Sequence, residues 1–353
     1  MNIKNIFLYI ACFVMVVPSL FFFFKTNEIE GFKSENQAPL EFNKKRPFEM
    51  FDTYFKNNFA FRNILAQQYL SFNANYSKTS SLPDKVVVGK EGWYFLGDSW
   101  NNNYSESIGV ETQNVPRLNA TIDRVLDMKK FCDSLGIKFY YFIPPNSHTI
   151  NKKFLPVVPN KRQRNIDYIF NALKGKIVCI DARKELMAQN QNFDLYYKTD
   201  SHWNSNGAFI GTQKMLSTLK KDFPNINLLD KNNYTISVKT INQMDLTKML
   251  NEYADEKVFK YKAKVKPNFV ETLDTINKVP LRRVKNDKYS YKGIFFRDSY
   301  FEHVLQFTDN TFNEILYISS PIFDKQRIAA EKPDFVVFEI IERNSTFSGV
   351  KIE

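Results

Sequence analysis

Between residues 118 and 341 short apolar runs alternate with amphipathic ones, and no other feature constrains the possible folds of this chain so tightly. Leu118 to Leu135 has helical periodicity, stops at Gly136 and leads into the apolar strand Ile137 to Ile143, which ends at Pro144, Pro145 and Asn146. A helix over Arg164 to Leu173 precedes a strand over Lys176 to Ile180, and a further helix spans Ala208 to Leu219. The rhythm resumes with the strand Gly293 to Phe296, the helix Tyr300 to Gln306, and the strands Ile315 to Ile318 and Phe335 to Ile341. Such alternation predicts an α/β domain, a parallel sheet flanked by helices on both faces. Residues 225–291 interrupt it with a strand-like YTISVKTI and a charged tail, which reads as an inserted β-rich segment. Upstream, VVVGKEGWYF (Val86 to Phe95) reads as two short strands around a glycine turn.

The amino-terminal part has a different character. Ile6 to Phe24 runs for 19 residues without a charge, close to the roughly 20 that carry a helix across a ~30 Å hydrocarbon layer. It ends in Phe21 to Phe24 followed by Lys25 rather than in a small-residue cleavage site, so an uncleaved transmembrane helix is expected. Lys4 and the amino terminus precede it, which favours a short tail inside and the remainder outside the cytoplasm. Residues 26–47, with a KKR run, Pro39 and Pro47, read as a stalk. Phe48 to Leu70 follows as an amphipathic helix. The expected organisation is an anchor at 1–25, a stalk and lead-in helix at 26–85, and a main α/β domain at 86–353 with 225–291 inserted.

With 43% hydrophobic and 16% aromatic residues, and only 11 Gly and 14 Pro in 353, the composition excludes collagen-like, low-complexity and wholly disordered classes. The net charge of +11 favours anionic neighbours, although a lysine-rich solvated surface accounts for it equally. Of the three cysteines, Cys12 lies in the anchor, while Cys132 and Cys179 sit in apolar runs without zinc or C-x-x-C spacing and read as buried free thiols, a disulfide between them in an oxidising compartment being the alternative. The sequence has no phosphate-cradling glycine loop, no nucleic-acid motif and no histidine cluster for a metal, so neither cofactor nor nucleic acid is expected.

Only three histidines are present, and an imidazole mechanism must use one of them. His202 lies in Thr199-Asp200-Ser201-His202-Trp203-Asn204. In extended chain Asp200 and His202 project to one side, whereas on a helix they would point about 200° apart. Thr, Asp, Ser, Asn and Gly supply a loop there, and a carboxylate next to a general base can orient its ring and stabilise the imidazolium. Helix capping by Asn204 or Ser205, with Asp200 and His202 as ordinary loop residues, is the competing explanation. The candidate nucleophile is Ser299, in FFRDSY, where an apolar strand gives way to a helix start. Open α/β sheets bind ligands at that edge, and the first N–H groups of a helix can meet an oxyanion. The alternative is that Asp298 or Ser299 merely caps the helix. His303, four residues on, lacks a carboxylate to orient it. His148 follows Pro144-Pro145-Asn146-Ser147 and reads either as a ligand contact, with Asn146, or as an exposed loop histidine.

Taken together these segments resemble the SGNH-hydrolase-like AlgJ and AlgX family of alginate O-acetyltransferase proteins. FDTYFKNNFAFRN is similar to the family's lead-in, VVVGKEGWYFLGD to its Gly-Trp-aromatic hairpin, FYYFIPPNSHTI to its strand and Pro-rich loop, and KPDFVVFEIIERN to its closing strand. The Asp-x-His-Trp of TDSHWNSNGA, followed about a hundred residues later by the Asp-Ser-aromatic turn of FFRDSY, is specific in combination. The resemblance implies Ser299 as nucleophile, His202 as base and Asp200 as its orienter, with Asn146, His148, Trp203, Arg297 and Tyr300 as candidate substrate or oxyanion contacts. Arg297 departs from the small residue many members carry two before the serine, and Ser147 and His148 stand where a lysine is frequent. No carbohydrate-binding module is expected after the catalytic region.

The function so implied is O-acetylation of a polysaccharide outside the cytoplasm through a serine acyl-enzyme. A membrane-bound O-acyltransferase would act as donor partner and the inner membrane as the anchorage, with the catalytic domain in the periplasm. A carbohydrate acetylesterase with the same three residues, and a non-catalytic anchored glycan-binding scaffold, are the alternatives.

Overall fold

The computed structural model describes residues 80–346, apart from 191–193, 266–267 and 277, together with 351–352 and Tyr9. The chain divides into two compact units, Met1–Ser81 and Leu82–Glu353. Apart from Tyr9, the expected anchor lies outside the described residues, as do the stalk at 26–47 and the lead-in helix from Phe48 to Leu70. Among the described residues no helix is long and apolar enough to cross a membrane.

The second unit begins with the hairpin β1 (Val86–Val88) and β2 (Tyr94–Leu96), turning at Gly92 with φ 78°. After α1 (Asn103–Ser107) comes α2 (Val115–Ser134), then β3 (Lys138–Phe142), α3 (Ser147–Ile150), α4 (Asn165–Leu173), β4 (Val178–Ile180), α5 (Arg183–Gln189) and α6 (Ser205–Leu219). The inserted segment contributes β5 (Tyr234–Ile241), α7 (Asp245–Leu250), β6 (Glu256–Ala263), β7 (Val270–Ile276) and β8 (Val279–Lys285). β9 (Lys292–Phe296), α8 (Glu302–Thr308), β10 (Glu314–Ile318), β11 (Ile322–Phe323), α9 (Lys325–Glu331), β12 (Phe335–Glu339) and β13 (Lys351–Ile352) complete it.

α2 shows why these elements form where they do. Asn114 caps it by accepting the Arg117 N–H, Pro116 occupies its first turn, and Leu118, Ile122, Val125, Met128 and Cys132 line one buried stripe. Gly136, at φ 72°, then turns the chain into β3. Along β3 the side chains alternate: Phe139 and Tyr141 pack with α2 and α4 on one face, Tyr140 and Phe142 with α6 on the other. β9 repeats this, with Ile294 and Phe296 on the first face and Phe295 on the second. Cys132 is buried in the first layer and Cys179 half-buried on β4, and both thiols are free.

The central sheet has seven strands in the order β4-β3-β12-β9-β10-β8-β7. The five from β4 to β10 are parallel, as expected, but β8 and β7 run antiparallel, so the sheet is mixed. The wholly parallel sheet expected from the alternation is therefore corrected. The inserted segment splits: β5 and β6 form a separate ribbon, while β7 and β8 extend the sheet. In the sequence β8 falls within the charged tail of the inserted segment. Its Leu281 enters one core layer and Val284 the other, and between them Arg282 is held by Asp309 at 2.7 Å and Arg283 by Glu331 at 2.5 Å. Arginines neutralised in this way can border a core while reading as surface in sequence.

Candidate active site

Three adjacent parallel strands, β3, β12 and β9, end at one rim of the sheet. Beyond β9 the chain passes Arg297 and Asp298 into a single 3₁₀ turn at Ser299–Phe301, which leads into α8. Asp298 is the cap: its Oδ1 accepts the Tyr300 N–H at 2.8 Å and its Oδ2 accepts the Ile341 N–H at 2.8 Å. Its own N–H is held by Glu339 Oε2 at 2.8 Å. Because Asp298 does the capping, Ser299 is left exposed, and its N–H, first in the turn, has no acceptor one turn back.

The second loop is folded back on itself. Tyr196 and Trp203 form an antiparallel bridge, Asn204 N–H donates to Leu195 O at 3.0 Å, and the Asn204 side chain caps α6. Asp200 and His202 thus lie in loop geometry before the helix, and the capping explanation and the loop pairing hold together. Asp200 Oδ1 accepts from both the backbone N–H of His202 (2.9 Å) and its ring Nδ1 (2.7 Å). With Nδ1 carrying the proton, Nε2 has a free lone pair, and it lies 2.9 Å from Ser299 Oγ. Burial works to raise the Asp200 carboxyl, but the hydrogen bond and charge of His202 outweigh it and hold it below the ordinary carboxylate value.

The remaining expected site residues have other surroundings. Trp203 is fully buried and its Nε1–H donates to Tyr300 O at 2.8 Å; Tyr300, also fully buried, donates its hydroxyl to Ser201 O at 2.5 Å. These two bonds tie the serine turn to the histidine loop. Arg297 turns to Glu302 at 2.5 Å. Asn146 and His148 are buried, so an exposed loop position for His148 is corrected: its Nε2–H donates to Leu96 O at 2.9 Å beneath β2 and α1, and burial lowers it to about 3. A cavity of about 10 Å³, room for about one water, lies between Asn103, Asn146, His148, Asp200 and Arg343. His303, the rival base, packs on the Tyr197 ring at 5.7 Å, and burial, with the neighbouring His202 next, lowers it to about 4.

Two carboxylates from the inserted segment also reach this loop, and neither was expected. Glu256 Oε2, at the start of β6, accepts from Lys198 N–H (2.7 Å), Thr199 N–H (2.9 Å) and the Thr199 hydroxyl (3.0 Å). Asp245, at the start of α7, accepts the Ser201 N–H at 3.0 Å and its hydroxyl at 2.7 Å. A helix start at Asp245 is readable in MDLTKML, but no spacing ties it to a residue 44 positions earlier.

The family model described as the SGNH hydrolase-like domain of the acetyltransferase AlgX matches residues 86–280, more than half of the chain. The chain belongs to this family. The match covers Asp200 and His202 and stops short of Ser299. A comparison with curated proteins gave no match. Among solved structures, this AlgX-type chain is similar to PatB1 of Bacillus cereus, in a structure with a sulfonyl adduct, at 17% identity and a TM-score of 0.61, over 76% of this chain and 99% of that one. A DHHW family protein from Eubacterium siraeum is similar at 13% identity and a TM-score of 0.51, over 64% and 86%. The O-acetyltransferase domain of Pseudomonas putida AlgJ is similar at 13% identity and a TM-score of 0.50, over 75% and 93%. At these identities the structures establish the fold, an SGNH-like α/β domain with a mixed central sheet.

Proposed function

We propose that this chain is an O-acetyltransferase that carries an acetyl group on Ser299 and passes it to a hydroxyl of a polysaccharide outside the cytoplasm. The observation that carries the reading is the continuous contact Ser299 Oγ–His202 Nε2, His202 Nδ1–Asp200 Oδ1, at an exposed rim of the sheet. His202 takes the hydroxyl proton as Ser299 Oγ attacks the acetyl carbonyl, and Asp200 stabilises the imidazolium that forms. The N–H of Ser299, in the first turn ahead of α8, would meet the carbonyl oxygen as it gains charge. The imidazolium then protonates the leaving group, and the ester remains on Ser299. A sugar hydroxyl, deprotonated by the same imidazole, attacks that ester and regenerates the serine.

Membership in the acetyltransferase AlgX family supports acyl transfer. The donor in this scheme is a membrane-embedded O-acyltransferase that delivers the acetyl group outward, because cytoplasmic thioesters do not cross the bilayer. The uncharged run Ile6 to Phe24 would hold the domain at that membrane and raise its effective concentration beside the donor. Incubation with an activated acetyl ester and an oligosaccharide tests the proposal: acetylated sugar is expected, and free acetate as sole product would make the protein an esterase. In cells, polymer acetylation that persists with a normally expressed Ser299→Ala variant would leave only a scaffold role.

A further inference from the structure

His202 has a second carboxylate behind it. Ser201 Oγ lies 3.3 Å from His202 Nδ1, on the side of the ring that also faces Asp200. Its own proton is spent on Asp245 Oδ2 at 2.7 Å, so the oxygen turns a lone pair toward the imidazole N–H. Asp245 Oδ2 itself is 4.0 Å from Nδ1. We infer that Asp245, acting through Ser201, is a second positioning residue for His202, and that the inserted segment thereby helps to orient the base and stabilise its imidazolium. This rests on the reading of His202 as the base.

The geometry separates this role from simple loop support. Glu256 already anchors the loop through three donors at Lys198 and Thr199, and Leu246 N–H adds a bond to Thr199 O at 3.2 Å. A further tether would have no need of a charge pointed at the imidazole. Asp200 and Asp245 also differ in kind: burial, and then the charge of Asp200, push Asp245 up, whereas Asp200 is held down by its direct bond to the ring. Asp245 is the member of the pair that takes a proton first as the pH falls, and its support for the imidazolium fades there.

The groups that face His202 are few. Asp200 lies on its own loop and Asp245 comes from α7. The Tyr300 ring lies tilted against His202 at 5.0 Å between centroids, with Arg343 on that tyrosine at 5.3 Å, and His303 follows on α8. Glu256 on β6 and Tyr197 act at one remove, through Thr199 and Asp200.

The test is titration of His202 by NMR in the full chain labelled at histidine, where three imidazoles make assignment tractable, alongside the pH profile of kcat/KM. Asp245→Asn keeps an oxygen for the Ser201 N–H and removes the charge. The imidazolium loses a stabilising partner, so the His202 midpoint is expected to fall by about half a pH unit or more relative to the unmodified protein. The acid limb of kcat/KM should move with it. Ser201→Ala, which leaves α7 intact, should move the midpoint in the same direction by less. A midpoint unmoved in both variants, whatever happens to thermal stability, overturns the inference. A midpoint that moves in a protein with no acyl transfer would leave the coupling standing and sink the transferase reading instead.

Discussion

At the scale of single residues, the site depends on a division of labour between neighbours. Asp298 caps the turn so that Ser299 need not, and Asp200 holds both the backbone and the ring of His202. Asp200→Asn is therefore expected to lower kcat on the order of 10³- to 10⁴-fold, because an amide can present an N–H to Nδ1 and stabilise the wrong tautomer, while the thermal midpoint changes little. Steady-state rates and a melting curve on one preparation check both halves of that statement. The pairing of Asp200 with His202 was legible because residues two apart share a side in extended chain. The strand-to-helix turn that carries Ser299 was legible because an apolar strand ended just before it. Asp245 and Glu256 were not, since their contacts come from chain reversals with no local signature. His148 looked exposed because its neighbours are polar, and only the roof supplied by β2 and α1 buries it.

At the scale of elements, α6 shows sterics prevailing over propensity. A Cβ added at Gly207 would sit 2.2 Å from the carbonyl oxygen of Leu195, and one at Gly211 would press on the Trp203 ring at 2.6 Å. Alanine at Gly207 gains about 1 kcal/mol in helix propensity. A backbone carbonyl cannot step aside as a side chain can, so Gly207→Ala should destabilise by about 1–3 kcal/mol net. Chemical denaturation reads this directly, and a stabilised variant would show that the helix and the histidine loop are less closely fitted. The alternating helices and strands were readable to within a few residues: the helix expected from Leu118 to Leu135 is Val115–Ser134, and the strand expected from Ile137 to Ile143 is Lys138–Phe142. β8 was hidden because ion-paired Arg282 and Arg283 sit between its apolar residues, and β7 because it is an edge strand with almost every residue exposed. α9, seven residues with one buried contact at Ile328, gave little pattern to read.

At the scale of the whole molecule, the site lies where three parallel strands end, and the sheet's buried carboxylates couple its stability to pH. Glu339, at the end of β12, holds the Asp298 N–H, and burial, with the charge of Asp298 next, raises its carboxyl well above the ordinary value. The folded state then keeps a proton that the unfolded chain releases, and this contribution to stability is lost as the pH rises from the ordinary glutamate range toward the folded value. Glu339→Gln keeps an acceptor for Asp298 and does not titrate. Its thermal midpoint relative to the unmodified protein should climb as the pH rises above about 4.5, and a difference independent of pH would contradict that assignment.

Transfer through a serine acyl-enzyme requires that Ser299 become acetylated during turnover. Intact-mass measurement followed by peptide mapping, after brief exposure to an activated acetyl ester, tests it most directly. One acetyl group on the peptide containing Ser299, absent in Ser299→Ala and formed far more slowly in His202→Ala, is the predicted result. Acetylation confined to lysines, or equal labelling of the Ser299→Ala variant, would contradict the account.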